Sequence, residues 1–333
     1  MTQSDLLHGG ALDHLKTLYP QAPHPWIDLS TGINPNPYPV PVLPPETFSH
    51  LPTQTQYQAC HEVLARYYGA PPDSLLLAPG SELLIRLLPQ LLQIQTVAVA
   101  QPIYGDHQSC WQRAGAKITL MADPVHAAGK VDAIVLCNPN NPDGRTWSPE
   151  ILEDCRIQQA ARQGWLIVDE AYADLVPSLS LAARGGEAGL IVLRSFGKFF
   201  GLAGLRLGAL IGPAAVLMAA RDILGVWPVS GPALHVGQLA AADPVWPEMT
   251  RKSLHLSSEV LDRTLTDAGL TVEGGTSLFR YVGMPGAHAL WQRLAEQGIY
   301  TRRFAGSDRH LRIGLPADDE ALARLASALA ASL

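Results

Sequence analysis

One lysine stands among three phenylalanines in the run IVLRSFGKFFGLAGLRLG, residues 191–208. An ammonium group packed between Phe196, Phe199 and Phe200 is poorly solvated, which lowers its pKa and suits Lys198 to Schiff-base chemistry with a carbonyl compound. Ser195 precedes it by three positions and Arg206 follows it by eight, so a hydroxyl and a guanidinium flank the amine at fixed spacing. Four further clusters carry polar groups at the ends of apolar runs. Gly80-Ser81-Glu82 opens a helix whose free N–H groups and serine hydroxyl can hold an anion. Tyr104 follows the run ending at Ala100, Asn141 sits in the turn NPNNPDG (138–144), and Asp169 and Tyr172 follow Trp165–Val168. Taken singly, each has a plain structural explanation. Gly-Ser-Glu is a good helix cap, Asp169 a cap or surface acid, Tyr104 a core residue, and Arg302 with Arg303 a solvated pair.

The elements that position these residues alternate. Short apolar runs at 75–78, 96–100, 117–120, 133–137, 165–168, 190–193 and 207–211 read as strands. Helical patterns at 83–92, about 106–114 and 149–163 separate several of them, with Ser148 as an N-cap for the last. Strands apolar on both faces and divided by helices predict a mainly parallel sheet covered on both sides. In such sheets ligands bind outside the carboxyl ends of the strands, where Tyr104, Asn141, Asp169 and Lys198 fall. Residues 46–68 are expected to be one amphipathic helix carrying Tyr57. The last third predicts a long helix near 247–268, strands at 269–273, 279–282 and 311–313, and helices at 286–297 and 317–332. Arg312 lies inside the last of these strands, where a buried guanidinium requires an anion. The expected organisation is a large α/β domain over 48–235, with 1–47 and 236–333 forming an N-terminal arm and a smaller α+β domain. The arm carries six prolines between Pro35 and Pro45, which forbid a long helix or central strand. It either lies over another surface or closes a site with Asn34 as its polar contact.

The 333 residues are 47% hydrophobic and 16% charged, which fits a well-buried globular enzyme. A net charge of −6 gives no electrostatic reason to expect nucleic acid or an anionic membrane as partner. Cys60, Cys110, Cys137 and Cys155 show no CxxC pairing, so neither a metal motif nor a disulfide framework is expected. With no signal-like N-terminus and no apolar run of membrane length, the chain is expected in the cytoplasm.

Ser195, Lys198 and Arg206, with Asp169, Tyr172 and Asn141 upstream, resemble the lysine segment and cofactor residues of fold-type I pyridoxal-phosphate enzymes, the aspartate aminotransferase superfamily. The resemblance spans nearly the whole chain and implies pyridoxal 5'-phosphate as cofactor. It implies Lys198 as Schiff-base lysine, Asp169 as partner of the ring nitrogen, and Tyr172 and Asn141 as donors to the phenolate oxygen. Tyr104 would stack on the ring, and Gly80, Ser81, Glu82, Ser195 and Arg206 would surround the phosphate. Arg312 matches the arginine that binds the substrate α-carboxylate. Tyr57 matches a tyrosine reaching the neighbouring subunit's cofactor, which implies a homodimer with shared sites. His8-Gly9-Gly10, followed by Asp28 to Pro35, resembles one branch in particular, the threonine-phosphate decarboxylases of cobalamin biosynthesis, close to histidinol-phosphate aminotransferases. That branch implies decarboxylation of O-phospho-L-threonine to (R)-1-amino-2-propanol O-2-phosphate, with His8, Gly9, Gly10, Asn34, Asn141 and Arg302 on the substrate. Asp143 and Ser230 depart from the usual Thr and Asn. Histidinol-phosphate transamination is the first alternative. A non-catalytic effector-binding module is a second, opposed by the acidic charge and the lack of a basic winged-helix segment before the fold.

Overall fold

The computed structural model describes residues 9–333, which form two compact units. The larger comprises Pro37–Asn141 and Arg145–Pro247, and the smaller Pro142–Gly144, Glu248–Leu333 and the chain up to Asn36. The expected divisions at 47/48 and 235/236 fall inside the larger unit. The helix Gln54–Tyr68 packs there against the helix Gly231–Ala242. A Cβ on Gly231 would stand 2.4 Å from the carbonyl oxygen of Thr47, so backbone contact ties the proline-rich stretch to the same place.

A seven-stranded sheet organises the larger unit, in the order Leu75–Ala78, Gly208–Ile211, Leu190–Ser195, Trp165–Asp169, Ala133–Cys137, Thr96–Ala100, Lys117–Met121. Gly208–Ile211 runs antiparallel to both neighbours and every other pairing is parallel. The central strands are buried along their length, which is why their sequences are continuous apolar runs rather than alternating ones. Leu84 and Leu88 from the helix Ser81–Leu92 and Trp111 from Gly105–Arg113 bury one face of the sheet against Val97, Val135, Leu193 and Leu210. The edge strand Lys117–Met121 is largely exposed.

The predicted single helix over 46–68 is two helices, Glu46–Ser49 and Gln54–Tyr68. Pro52 cannot continue a helix, and Thr53 caps the second one in a reciprocal box with Gln56. The Ser148 cap is present, its hydroxyl accepting from the Ile151 amide at 3.4 Å. In the smaller unit a four-stranded antiparallel sheet runs Arg302–Phe304, Ser307–Gly314, Phe279–Gly283, Thr271–Thr276. Ile27–Asp28 pairs in parallel with Ile299–Tyr300, so the arm is held by backbone pairing within this unit. Among the described residues no helix is long and apolar enough to cross a membrane.

Candidate active site

At the carboxyl ends of the parallel strands the larger unit has a cavity of about 250 Å³. Gly80 and Ser81 form one end of it, at the start of the helix Ser81–Leu92, with Ser195 and Arg206 beside them. Gly80 has φ +85°, and a Cβ there would fall 2.9 Å from Nη2 of Arg206. Only a glycine lets the guanidinium approach the helix N-terminus so closely. Arg206 itself adopts φ +56°, an uncommon left-handed conformation for a side-chain-bearing residue, and donates from Nη1 to the Ala203 carbonyl at 3.0 Å. Helix N–H groups, a serine hydroxyl and a guanidinium together make a site for a dianion.

Lys198 lies at the wall of the same cavity, its Nζ 6.0 Å from the centre of the Tyr172 ring. Its phenylalanine neighbours are fully buried, and Phe196 and Phe200 stack at 4.0 Å. That aromatic layer continues to Trp246, stacked on Phe200 at 5.4 Å, and fixes the backbone that presents the lysine.

Asp169 closes the strand Trp165–Asp169 and is almost wholly buried. One carboxylate oxygen accepts from the Ala171 amide at 3.0 Å and the other lies 2.9 Å from Nε2 of His107. His107 was not singled out by the sequence. It sits three positions after Tyr104, with the two rings edge to face at 6.3 Å, and that closeness to Tyr104 is the one hint in the sequence that could have drawn attention to it. Cys137 also lines the cavity, and His107, Cys137 and Asp169 bring a nitrogen, a sulfur and an oxygen within 4.8 Å of one another.

Tyr104 also lines the cavity. Its hydroxyl lies 3.0 Å from Glu82 and 3.3 Å from Asp106, and Arg86 bridges the two carboxylates at 2.8 and 3.0 Å. Burial, together with the neighbouring Asp106 carboxyl, pushes the Glu82 pKa up. Burial first, then Glu82 and Asp106, raise that of Tyr104. The phenol therefore keeps its proton and donates it to this acidic pair, which holds the ring in one orientation. Asn141 completes the lining. Its turn is fixed by Asn138, which exchanges hydrogen bonds with the Trp147 backbone at 3.0 and 3.1 Å, and by Asn140, which donates to Pro102 at 2.9 Å.

All the residues expected at the cofactor except Tyr57 thus line one cavity. Tyr57 is elsewhere in the unit, its hydroxyl receiving the Val229 N–H at 2.6 Å and lying 3.3 Å from the Val229 carbonyl. Of the residues expected at the substrate, Gly9, Gly10, Asn34, Arg302 and Arg312 belong to the smaller unit and Asn141 to the larger, while His8 lies outside the described residues. Within that unit Gly10 N–H donates to the Ser30 hydroxyl at 2.9 Å, while Arg312 donates to the Ser30 carbonyl at 2.5 Å. A Cβ on Gly9 would stand 2.4 Å from that carbonyl oxygen. Arg302 pairs directly with Arg312 across the two strands, which puts both side chains on one face. Buried Asn34 caps its own turn by accepting from the Asn36 amide at 2.9 Å.

A profile of the aminotransferase class I and II family matches residues 27–329. The chain belongs to that family. It is 39% identical to a threonine-phosphate decarboxylase of Pseudomonas aeruginosa over 97% of each chain. It is 38% identical to one of Sinorhizobium sp. over 98% of each. Its fold matches that of a histidinol-phosphate aminotransferase from Sinorhizobium meliloti, solved with pyridoxal-5'-phosphate, at a TM-score of 0.83 and 20% identity, covering 96% of this chain and 93% of the other.

Proposed function

We propose that the protein is a pyridoxal-phosphate-dependent decarboxylase acting on O-phospho-L-threonine, with (R)-1-amino-2-propanol O-2-phosphate as product, in cobalamin biosynthesis. The observation that carries this reading is the full-length similarity to two threonine-phosphate decarboxylases, in a chain whose cavity has the donor set the cofactor requires. The fit is chemical and steric. The Gly80 cradle against Arg206 suits a phosphate, the buried Asp169 suits a protonated ring nitrogen, and an amine is present for the aldehyde. Arg302 and Arg312, paired across two strands, place two guanidinium groups on one face of the smaller unit, and a phosphorylated amino acid carries two anionic groups that such donors can bind.

When bound, pyridoxal phosphate supplies an electron sink for the bond broken at Cα. Lys198 would hold the cofactor through its amine, the group suited to an aldehyde, and would carry the proton delivered to Cα. Asp169 would keep the ring nitrogen protonated, with His107 holding Asp169 in place. Tyr172 and Asn141 would donate to the ring oxygen, Tyr104 would provide the flat contact, and Gly80, Ser81, Ser195 and Arg206 would bind the phosphate, with Glu82 anchoring Tyr104 nearby. Arg312 would bind the substrate carboxylate. Arg302, Asn34, His8 and Gly9 would hold the substrate phosphate, while the Gly10 amide, donated to the Ser30 hydroxyl, supports the arm they belong to. A substrate held at its phosphate would be oriented at Cα so that the bond to the carboxylate, rather than the bond to hydrogen, is the one that breaks. The carboxylate leaves as CO2 and one proton takes its place at Cα. We place the enzyme in the cytoplasm as a homodimer. The four cysteines are buried and none is in a disulfide, consistent with a reducing compartment.

The test is incubation of the cofactor-loaded protein with O-phospho-L-threonine and no oxo-acid, following CO2 and aminopropanol phosphate by mass spectrometry. The expected result is both products in equal amounts. Absence of CO2, with amino transfer from histidinol phosphate once 2-oxoglutarate is added, would assign the chain to the aminotransferases instead.

A further inference from the structure

Behind the strands that carry Asp169 and Ser195 lies a buried charge cluster that the chemistry above does not use. Arg194, Glu170 and Asp174 are each at most 3% exposed. Glu170 continues the register of its strand, its N–H donating to the Leu193 carbonyl at 2.9 Å, so it comes to lie next to Arg194. Successive side chains along a strand point to opposite faces. Asp169 and Ser195 face the cavity, and Glu170 and Arg194 therefore face away from it.

The cluster is well bonded. Arg194 donates from Nη1 to Glu170 at 2.8 Å and from Nη2 to Asp174 at 2.6 Å. Glu170 also accepts from the Ser180 hydroxyl at 2.5 Å and the Leu181 amide at 2.7 Å. The guanidinium carbon lies 4.3 Å over the Tyr68 ring. Tyr172 sits midway between the two carboxylates that this one guanidinium holds, and its side chain lines the cavity.

Resting on the cofactor reading above, we propose that Arg194 is a positioning residue: it clamps both ends of the segment 170–174 that presents Tyr172, and through its strand neighbours it fixes Asp169 and Ser195 relative to each other. A clamp of this kind needs the fork of an arginine, because two carboxylates four residues apart must be held at once. A lysine's ammonium has three donors on a single nitrogen but no planar fork, so it cannot reproduce the two-armed geometry that holds both carboxylates. The alternative is that the cluster only stabilises the fold. The two differ in what they do to the site.

Three variants, Arg194→Lys, Glu170→Gln and Asp174→Asn, are compared with Asp132→Asn, which weakens the same sheet far from the cavity. Two readouts besides activity are used. One is the affinity of each apoprotein for pyridoxal phosphate, from quenching of tryptophan fluorescence. The other is the pH midpoint of the visible absorbance of each cofactor-loaded protein, which responds to donation from Tyr172 to the ring oxygen. The expected result for Arg194→Lys is a Kd raised about tenfold or more and a midpoint moved upward by about half a unit or more. The expected result for Asp132→Asn is a lower Tm with both site readouts unchanged. Should Arg194→Lys fail to fold, Glu170→Gln and Asp174→Asn carry the same two readouts. A lower Tm with wild-type affinity and midpoint in every foldable variant would overturn the positioning role. Failure of the wild-type protein itself to bind pyridoxal phosphate would instead overturn the cofactor reading on which it rests.

Discussion

Asp169 has both oxygens occupied in a nearly dry place, one by the Ala171 amide and one by His107. A carboxylate held in this way is ready to face a protonated ring nitrogen without reorganising. Asp169→Asn replaces that charge by a neutral amide, so the expected loss in kcat is about two to three orders of magnitude. His107→Ala leaves Asp169 in place with one oxygen unpaired, and the expected loss is smaller, about tenfold. Steady-state assays of CO2 release on both variants check the order; a His107→Ala enzyme with wild-type kcat would remove His107 from the machinery. Tyr104, Asn141, Asp169 and Lys198 were legible only together, as polar groups that each follow an apolar run and so fall at one crevice, since each alone has a plain structural explanation. His107 was not, since its partner is 62 positions away and only folding brings the two together.

Among the elements, the central strands were readable because burial on both faces leaves no polar residue to confuse the pattern. Arg302–Phe304 and Ile299–Tyr300 were not, because two or three residues are too few to show a period. Elements also depend on side-chain ties at their ends. Asp132 accepts from the amide and hydroxyl of Thr96, both at 2.8 Å, and so joins the starts of two neighbouring strands. Burial acts to raise its pKa, but the bonds from Thr96 and Gln95 outweigh it and the net shift is downward. A depressed folded pKa means stability that is present above the unfolded carboxylate range and is lost as pH falls through the folded value. Asp132→Asn is therefore expected to cost about 1–2 kcal/mol near neutral pH, with the gap to the wild-type protein narrowing below about pH 4. Urea melts at several pH values measure this. A gap that stays constant down to pH 2.5 would show that the tie does not depend on the carboxylate's charge.

At the scale of the whole molecule, the protomer leaves large apolar side chains in water along two segments of the larger unit. Val42, Phe48 and Leu51 are 99%, 69% and 63% exposed, and Val226 and Trp227 are 75% and 55% exposed. Backbone contact between Gly231 and Thr47 and the Tyr57–Val229 hydrogen bonds tie these segments to one neighbourhood. Apolar surface concentrated in this way favours association, and the sequence resemblance expected a homodimer in which Tyr57 serves the partner's cofactor. Buried aromatic side chains carry a large share of binding energy at such contacts, so Phe48→Glu with Trp227→Glu should raise the dimer dissociation constant by about two orders of magnitude or more. Sedimentation velocity over a range of concentrations reads this, and a wild-type protein that stays monomeric at micromolar concentration would rule the dimer out. In the proposed dimer Tyr57 would link assembly to chemistry. Its hydroxyl is already placed by the Val229 backbone, so a cofactor phosphate arriving from a partner would meet an oriented phenol rather than a freely rotating one. Tyr57→Phe should then weaken pyridoxal phosphate binding several-fold while leaving the dimer intact. If the charged interface variants are monomeric and lose cofactor affinity by at least as much, the site is completed across the two subunits; if monomers bind the cofactor as tightly as the wild-type dimer, each protomer's cavity is sufficient by itself and Tyr57 is a local tie between two segments of its own chain.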